Sequence, residues 1–202
     1  MAEVVLFHHA LGRTDGIAVF AGWLREAGHT VHAPDLYDGR VFDDLEAGIA
    51  HAESIGFDTL IERGAVAAPG DGLVYAGFSL GVLPAQRLAQ TRPGARGALL
   101  YHAAVPTAFF GTGWPGEIPV QIHLMEDDPW DDGDAEAAAA ICGEAGDGVL
   151  FGYPVASHLF ADPSLPGYDP DATGLLVQRT LEFLDRIGRP PGHPGTGTTL
   201  PA

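Results

Sequence analysis

The chain has 202 residues and a formal net charge of −17, with 27 acidic residues set against ten basic ones. That length suits one folded domain with a sizeable core, and the charge excludes an extended nucleic-acid surface or an anionic membrane as partner, since both need clustered Lys and Arg. All ten basic residues are Arg, so Schiff-base chemistry, pyridoxal phosphate attachment and a P-loop lysine are excluded as well.

Val4 to His8 reads as a first buried strand, with no basic segment before it that would suggest a signal peptide. A helix is expected over Gly16 to Ala27, a strand over Thr30 to Ala33, and one long helix from Asp44 through Gly56 to Gly64. The strand Leu73 to Ala76 leads into a helix over Leu80 to Thr91, where Pro84 is tolerated because first-turn N–H groups have no internal acceptor. Further strands are expected over Gly97 to His102, Val120 to Met125 and Gly148 to Tyr153, and further helices over Gly133 to Glu144 and Asp171 to Ile187. This alternation predicts an α/β fold, a mostly parallel sheet with helices on both faces. Residues 1–188 are expected to form a single domain, and the Pro- and Gly-rich segment 189–202 a flexible tail. The one cysteine, Cys142, falls in an Ala-rich helical stretch and reads as a buried structural thiol. No apolar run is long enough to cross a bilayer, so a cytoplasmic monomer or small homo-oligomer is expected.

The most informative stretch is Gly77-Phe78-Ser79-Leu80-Gly81, a G-x-S-x-G pattern between a strand and a helix. Such a turn is crowded and strained, and the two glycines admit no Cβ where helix and strand approach. The helix start behind Ser79 offers free N–H groups for developing negative charge. A serine hydroxyl needs a base, and in the α/β-hydrolase order of nucleophile, acid, histidine only His158 and His193 come late enough. His193 lies in the expected tail, which leaves His158, in the loop after the last strand, as the candidate. The acid is expected after Val120 to Met125, within Glu126-Asp127-Asp128-Pro129-Trp130. Asp128 is preferred because Pro129 fixes the chain exit there; Asp127, or an acidic loop that is merely solvated, stays open. The acid holds the imidazole tautomer and steadies the imidazolium.

After the fourth strand, Phe109, Phe110 and Trp114 either wall an apolar substrate cleft or cap the core, and Trp130 is ambiguous in the same way. His8, His9 and His102 fall at strand ends, where a metal-dependent protein could be built on them. Adjacent residues in an extended segment point to opposite faces, however, and no H-E-x-x-H spacing occurs. No metal or cofactor is therefore expected, and tuning of the nucleophile is the role favoured for His9.

Four blocks resemble the dienelactone hydrolase family, a small α/β-hydrolase group: Ala33-Pro34-Asp35-Leu36-Tyr37, the Ser79 elbow, the Asp128 loop, and Tyr153-Pro154-Val155-Ala156-Ser157-His158 with Phe160 and Tyr168. The similarity extends to about Ile187. It implies Ser79 as nucleophile, Asp128 as acid, His158 as base, and the backbone N–H groups of Leu80 and Ala10 as oxyanion hole. The best-known members carry Cys at the elbow and Glu in the first-strand loop, where this chain has Ser79 and, nearby, His9. Arg13 and Arg40 stand in loops near the expected mouth and are candidate substrate contacts with His9 and the aromatics. The expected function is a serine hydrolase of a small carboxylic ester or lactone. The alternatives are a thioesterase or acyltransferase with the same triad, and a non-catalytic binder of small ligands.

Overall fold

Val4, Val5, Leu6 and Phe7 are apolar without alternation, as a strand covered on both faces requires. In the computed structural model, which describes residues 1–188, they form β1 (Glu3–Phe7) inside a sheet. The other strands are β2 (Thr30–His32), β3 (Val74–Phe78), β4 (Gly97–Tyr101), β5 (Val120–Met125) and β6 (Gly148–Tyr153). All neighbours are parallel, in the order β2-β1-β3-β4-β5-β6. The chain therefore starts in the sheet, steps to one edge, and crosses back over β1 to build the rest. That reversal between β1 and β3 opens a crevice at the carboxyl ends of these strands, where α/β sheets bind ligands.

The helices are α1 (Asp15–Glu26), α2 (Leu45–Ile55), α3 (Phe57–Ala67), α4 (Val82–Thr91), α5 (Asp134–Glu144) and α6 (Pro170–Gly188). Successive strand residues serve opposite faces. Val5 and Phe7 join Leu60, Val82, Leu88 and Ile141 in one core, while Val4 and Leu6 join Ile17, Phe20, Leu176 and Phe183 in the other. Each such side chain contributes about 1.5–3 kcal/mol by leaving water. Cys142 is half-buried, not wholly so, and lies against the first core. Among the described residues, no helix is long and apolar enough to cross a membrane.

The expected helix from Asp44 to Gly64 is two helices. Gly56 sits between them at φ +90°, far from helical geometry, which glycine adopts without steric cost. The helix expected from Leu80 starts as a 3-10 turn, Ser79–Gly81, and becomes α-helical at Val82. The other elements begin and end within two residues of the expected bounds. The segment read as a tail, His193 included, lies outside the described residues.

Candidate active site

β3 delivers Ser79 directly from its last residue, and Ser79 takes φ +48°. That left-handed backbone is uncommon for a residue with a Cβ and marks a turn held by its surroundings. β5 and β6 deliver the Asp128 and His158 loops to the same edge of the sheet. There His158 Nε2 lies 2.9 Å from Ser79 Oγ, and His158 Nδ1 lies 2.6 Å from Asp128 Oδ2. A carboxylate only accepts, so the proton sits on Nδ1 and the Nε2 lone pair faces the serine hydroxyl. Both the imidazole and the carboxylate are nearly out of water, at 9% and 8% exposure, which strengthens their interaction. The second Asp128 oxygen accepts from the Trp130 amide at 2.9 Å. Asp127 is exposed and takes φ +54°, so the two neighbouring carboxylates part company: one faces His158, the other solvent.

The loop leaving β1 packs against the elbow. A Cβ at Gly81 would lie 2.5 Å from the Phe7 carbonyl and 2.7 Å from that of His8, so the segment leading to Ala10 runs beside Ser79 and Leu80. His8 is buried, donating from Nδ1 to the His9 carbonyl at 2.8 Å and accepting at Nε2 from the Leu36 amide at 3.0 Å. His9, expected to touch substrate, is instead sealed inside. Its Nε2–H donates to Asp162 Oδ2 at 2.8 Å, and its Nδ1 accepts from the Leu11 amide at 3.3 Å. Every ring nitrogen of His8 and His9 is thus engaged by protein atoms. Among the described residues no cluster of three or more His, Cys, Asp or Glu side chains is set to hold an ion.

His102 takes φ +66°, is fully enclosed, and has neither ring nitrogen hydrogen-bonded among the described residues. It stacks on Phe78 at 5.5 Å and meets the His158 ring at 5.9 Å. Burial, followed by the neighbouring histidines, holds its pKa well below the ordinary value, so it packs beside His158 as a neutral ring.

Trp114 is a correction: it is 5% exposed, donates from its indole nitrogen to the Ile118 carbonyl at 2.8 Å, and belongs to the first core. Phe109 and Phe110 occupy a 3-10 turn, Thr107–Phe110, and meet edge to face at 5.1 Å, with Phe109 largely in solvent. Trp130 is exposed as well. Arg13 lines a cleft of about 470 Å³ with Thr14, Asp15, Phe42, Asp43 and Leu165, built from the loops that leave β1 and β2 and the loop after His158. Arg40 is exposed, and its backbone carbonyl lies close against Gly12.

The residue that sequence reasoning passed over is Asp162. No motif or spacing in the sequence singles it out, yet it is 3% exposed. Burial pushes its pKa up, but hydrogen bonds from His9, Ser164 and Thr14 outweigh that and bring it down to about 2. It is therefore an ionised carboxylate at neutral pH.

The buried histidines make acid stability testable. Burial lowers His8 to about 4 and His123 to about 3 from an ordinary 6.5. In the window between those values the unfolded chain binds protons that the folded chain refuses. Stability is thus complete above pH 6.5 and is lost as pH falls toward 4, by on the order of 3 kcal/mol for a group shifted like His8. Thermal melts followed by circular dichroism should show the melting temperature falling through this range. A level melting temperature from pH 6.5 to 4.5 would mean that these rings protonate in place.

The family model for the dienelactone hydrolase family matches residues 1–188. No curated protein matches the chain. Among solved structures, the chain is similar to m3DLH, at 22% identity and a TM-score of 0.70, covering 92% of this chain and 86% of that one. It is similar to the dienelactone hydrolase-like promiscuous phosphotriesterase P91 from metagenomic libraries, at 19% identity and a TM-score of 0.66 over 93% and 87% of the two chains. A cold-adapted esterase from an Arctic intertidal metagenomic library, solved with zinc bound, is similar at 20% identity and a TM-score of 0.58 over 90% and 82%. At these identities the likeness is one of fold.

Proposed function

Because the chain belongs to the dienelactone hydrolase family, whose members are hydrolases acting on ester bonds, we propose that it is a serine hydrolase cleaving a small carboxylic ester or lactone through an acyl-enzyme. The observation that carries this reading is the continuous chain from Ser79 Oγ to His158 Nε2 at 2.9 Å and from His158 Nδ1 to Asp128 Oδ2 at 2.6 Å. As Ser79 Oγ bonds to the substrate carbonyl carbon, His158 Nε2 takes the hydroxyl proton and the carbonyl electrons move onto oxygen. The backbone N–H groups of Leu80 and Ala10 receive that oxyanion, the type of contact on which acyl transfer depends most. When the tetrahedral centre collapses, the C–O bond to the alcohol breaks and His158 returns the proton to the leaving oxygen. A water then repeats the sequence on the acyl-enzyme and frees Ser79. Asp128 holds the tautomer and faces the imidazolium without taking its proton.

The decisive measurement is mass spectrometry after a fluorophosphonate probe, with one adduct expected, mapped to Ser79. Turnover is then compared on acetyl, butyryl and decanoyl esters, a five-membered lactone, a thioester and a phosphotriester. Folded protein that never labels at Ser79 would overturn the reading.

A further inference from the structure

Asp162 accepts four hydrogen bonds although it is almost wholly buried. Its Oδ2 receives His9 Nε2–H at 2.8 Å and the Thr14 hydroxyl at 2.6 Å, and its Oδ1 receives the Ser164 amide at 2.8 Å and the Ser164 hydroxyl at 2.6 Å. Gly16, in the first turn of α1, makes the room: a Cβ there would lie 1.6 Å from Oδ1. Thr14 also caps α1 by accepting from the Ile17 amide at 3.3 Å. Taking a carboxylate out of water is costly, and apolar packing of the same volume often stabilises a fold equally well. The arrangement therefore points to geometry as its use.

The chain connectivity shows what that geometry holds. His9 directly precedes Ala10, whose amide is the proposed oxyanion donor, and Asp162 lies four residues beyond His158, the proposed base. From Ser157 to Leu165 the chain is a run of tight turns, with Phe160 N bonded to Ser157 O at 3.2 Å, Asp162 N to Leu159 O at 3.1 Å and Leu165 N to Asp162 O at 3.2 Å. So tight a segment cannot stretch, and a displacement at Asp162 is passed on to His158.

We propose that Asp162 is a positioning residue of the hydrolytic site: through His9 it locks the segment carrying Ala10 to the segment carrying His158, fixing the oxyanion donor relative to the base. The proposal rests on the hydrolase reading above. A misplacement of about 1 Å at such a site costs on the order of a hundredfold in rate, which sets the scale of the effect.

The test compares wild type, Asp162→Asn, His9→Gln, their double variant and the milder Ser164→Ala on p-nitrophenyl acetate, with the concentration of competent sites counted by fluorophosphonate labelling. Asp162→Asn and His9→Gln are each expected to lower kcat about 10- to 100-fold with KM held within about threefold. Because both act through one lock, the double variant should lose little more than the worse single one. Ser164→Ala removes only the hydroxyl donor and should lower kcat severalfold, which keeps the test decisive if the stronger variants do not fold. Folded variants with wild-type kcat, losses confined to KM, or losses that multiply in the double variant would overturn the lock while leaving the hydrolase intact. A wild type that neither labels at Ser79 nor turns over ester overturns the hydrolase reading itself.

Discussion

Ser79→Ala is expected to lower kcat on p-nitrophenyl acetate by about 10⁵-fold while leaving the protein folded. The substitution removes the attacking oxygen and keeps the Cβ, so the left-handed backbone at φ +48° carries no new strain. What remains is the small acceleration that an oxyanion hole and substrate binding give to bulk water. Asp128→Asn should cost about 10⁴-fold, because an amide donating to Nδ1 leaves the proton on Nε2, where the ring can no longer accept from Ser79. Asp127→Asn, altering a carboxylate that faces solvent, should stay within about threefold. Steady-state rates, with circular dichroism as a check on folding, distinguish these outcomes. Retention of more than about a hundredth of wild-type kcat by Ser79→Ala would remove serine from the mechanism. Equal losses at Asp127 and Asp128 would remove the assignment of the acid.

Sequence showed the elbow and the histidine because both are matters of local backbone and chain order. A strand, G-x-S-x-G and a helix can be read along the chain, and only two histidines follow the acidic loop. Pro129 favours Asp128 over Asp127, and the fold separates the two carboxylates: Asp128 bonds His158 while Asp127 is exposed. Trp114 was harder, since a large aromatic after a strand can face a cleft or the core with the same pattern. Its indole finds the Ile118 carbonyl four residues on, and that local turn draws it inward. The break at Gly56 is hidden because the buried positions of α2 and α3 continue one helical spacing through it, and an isolated glycine in such a pattern is tolerated. The pairing of His9 with Asp162 spans 153 positions. No spacing rule covers such a distance, and Asp162 looked like one more charge in a protein of net −17. Its local trace is Ser164, two residues on, whose amide and hydroxyl both donate to the carboxylate in an Asx turn.

Gly81→Ala should be among the most damaging single changes to the fold, although alanine is the smallest step from glycine. The cause is space and not backbone freedom, since Gly81 has an ordinary φ of −64°. The added Cβ would meet the Phe7 carbonyl oxygen at 2.5 Å and the His8 carbonyl oxygen at 2.7 Å, and Gly77→Ala would meet the Gly81 oxygen at 2.1 Å and the Val82 nitrogen at 2.7 Å. All of these are main-chain atoms, two of them at the exit of an interior strand, so no side chain can swing aside. Either β1 or the start of α4 must move. Overpacking of this kind costs about 3 kcal/mol or more, a large share of a total stability of about 5–15 kcal/mol. In a chain of this size it corresponds to a melting temperature lower by about 6–12 °C. Gly174→Ala is the control, because it lies in α6 with nothing within 4 Å of the added carbon. There the helix preference of alanine should raise stability by about 0.5–1 kcal/mol. The damage at Gly81 should also be catalytic, since pushing β1 from the elbow withdraws the segment bearing Ala10 from the serine. If Gly81→Ala instead melts within about 1 °C of wild type and keeps its kcat, the close approach of β1 to the elbow does not hold the turn in place, and the pairing of the Ala10 and Leu80 amides around one oxyanion loses its structural basis.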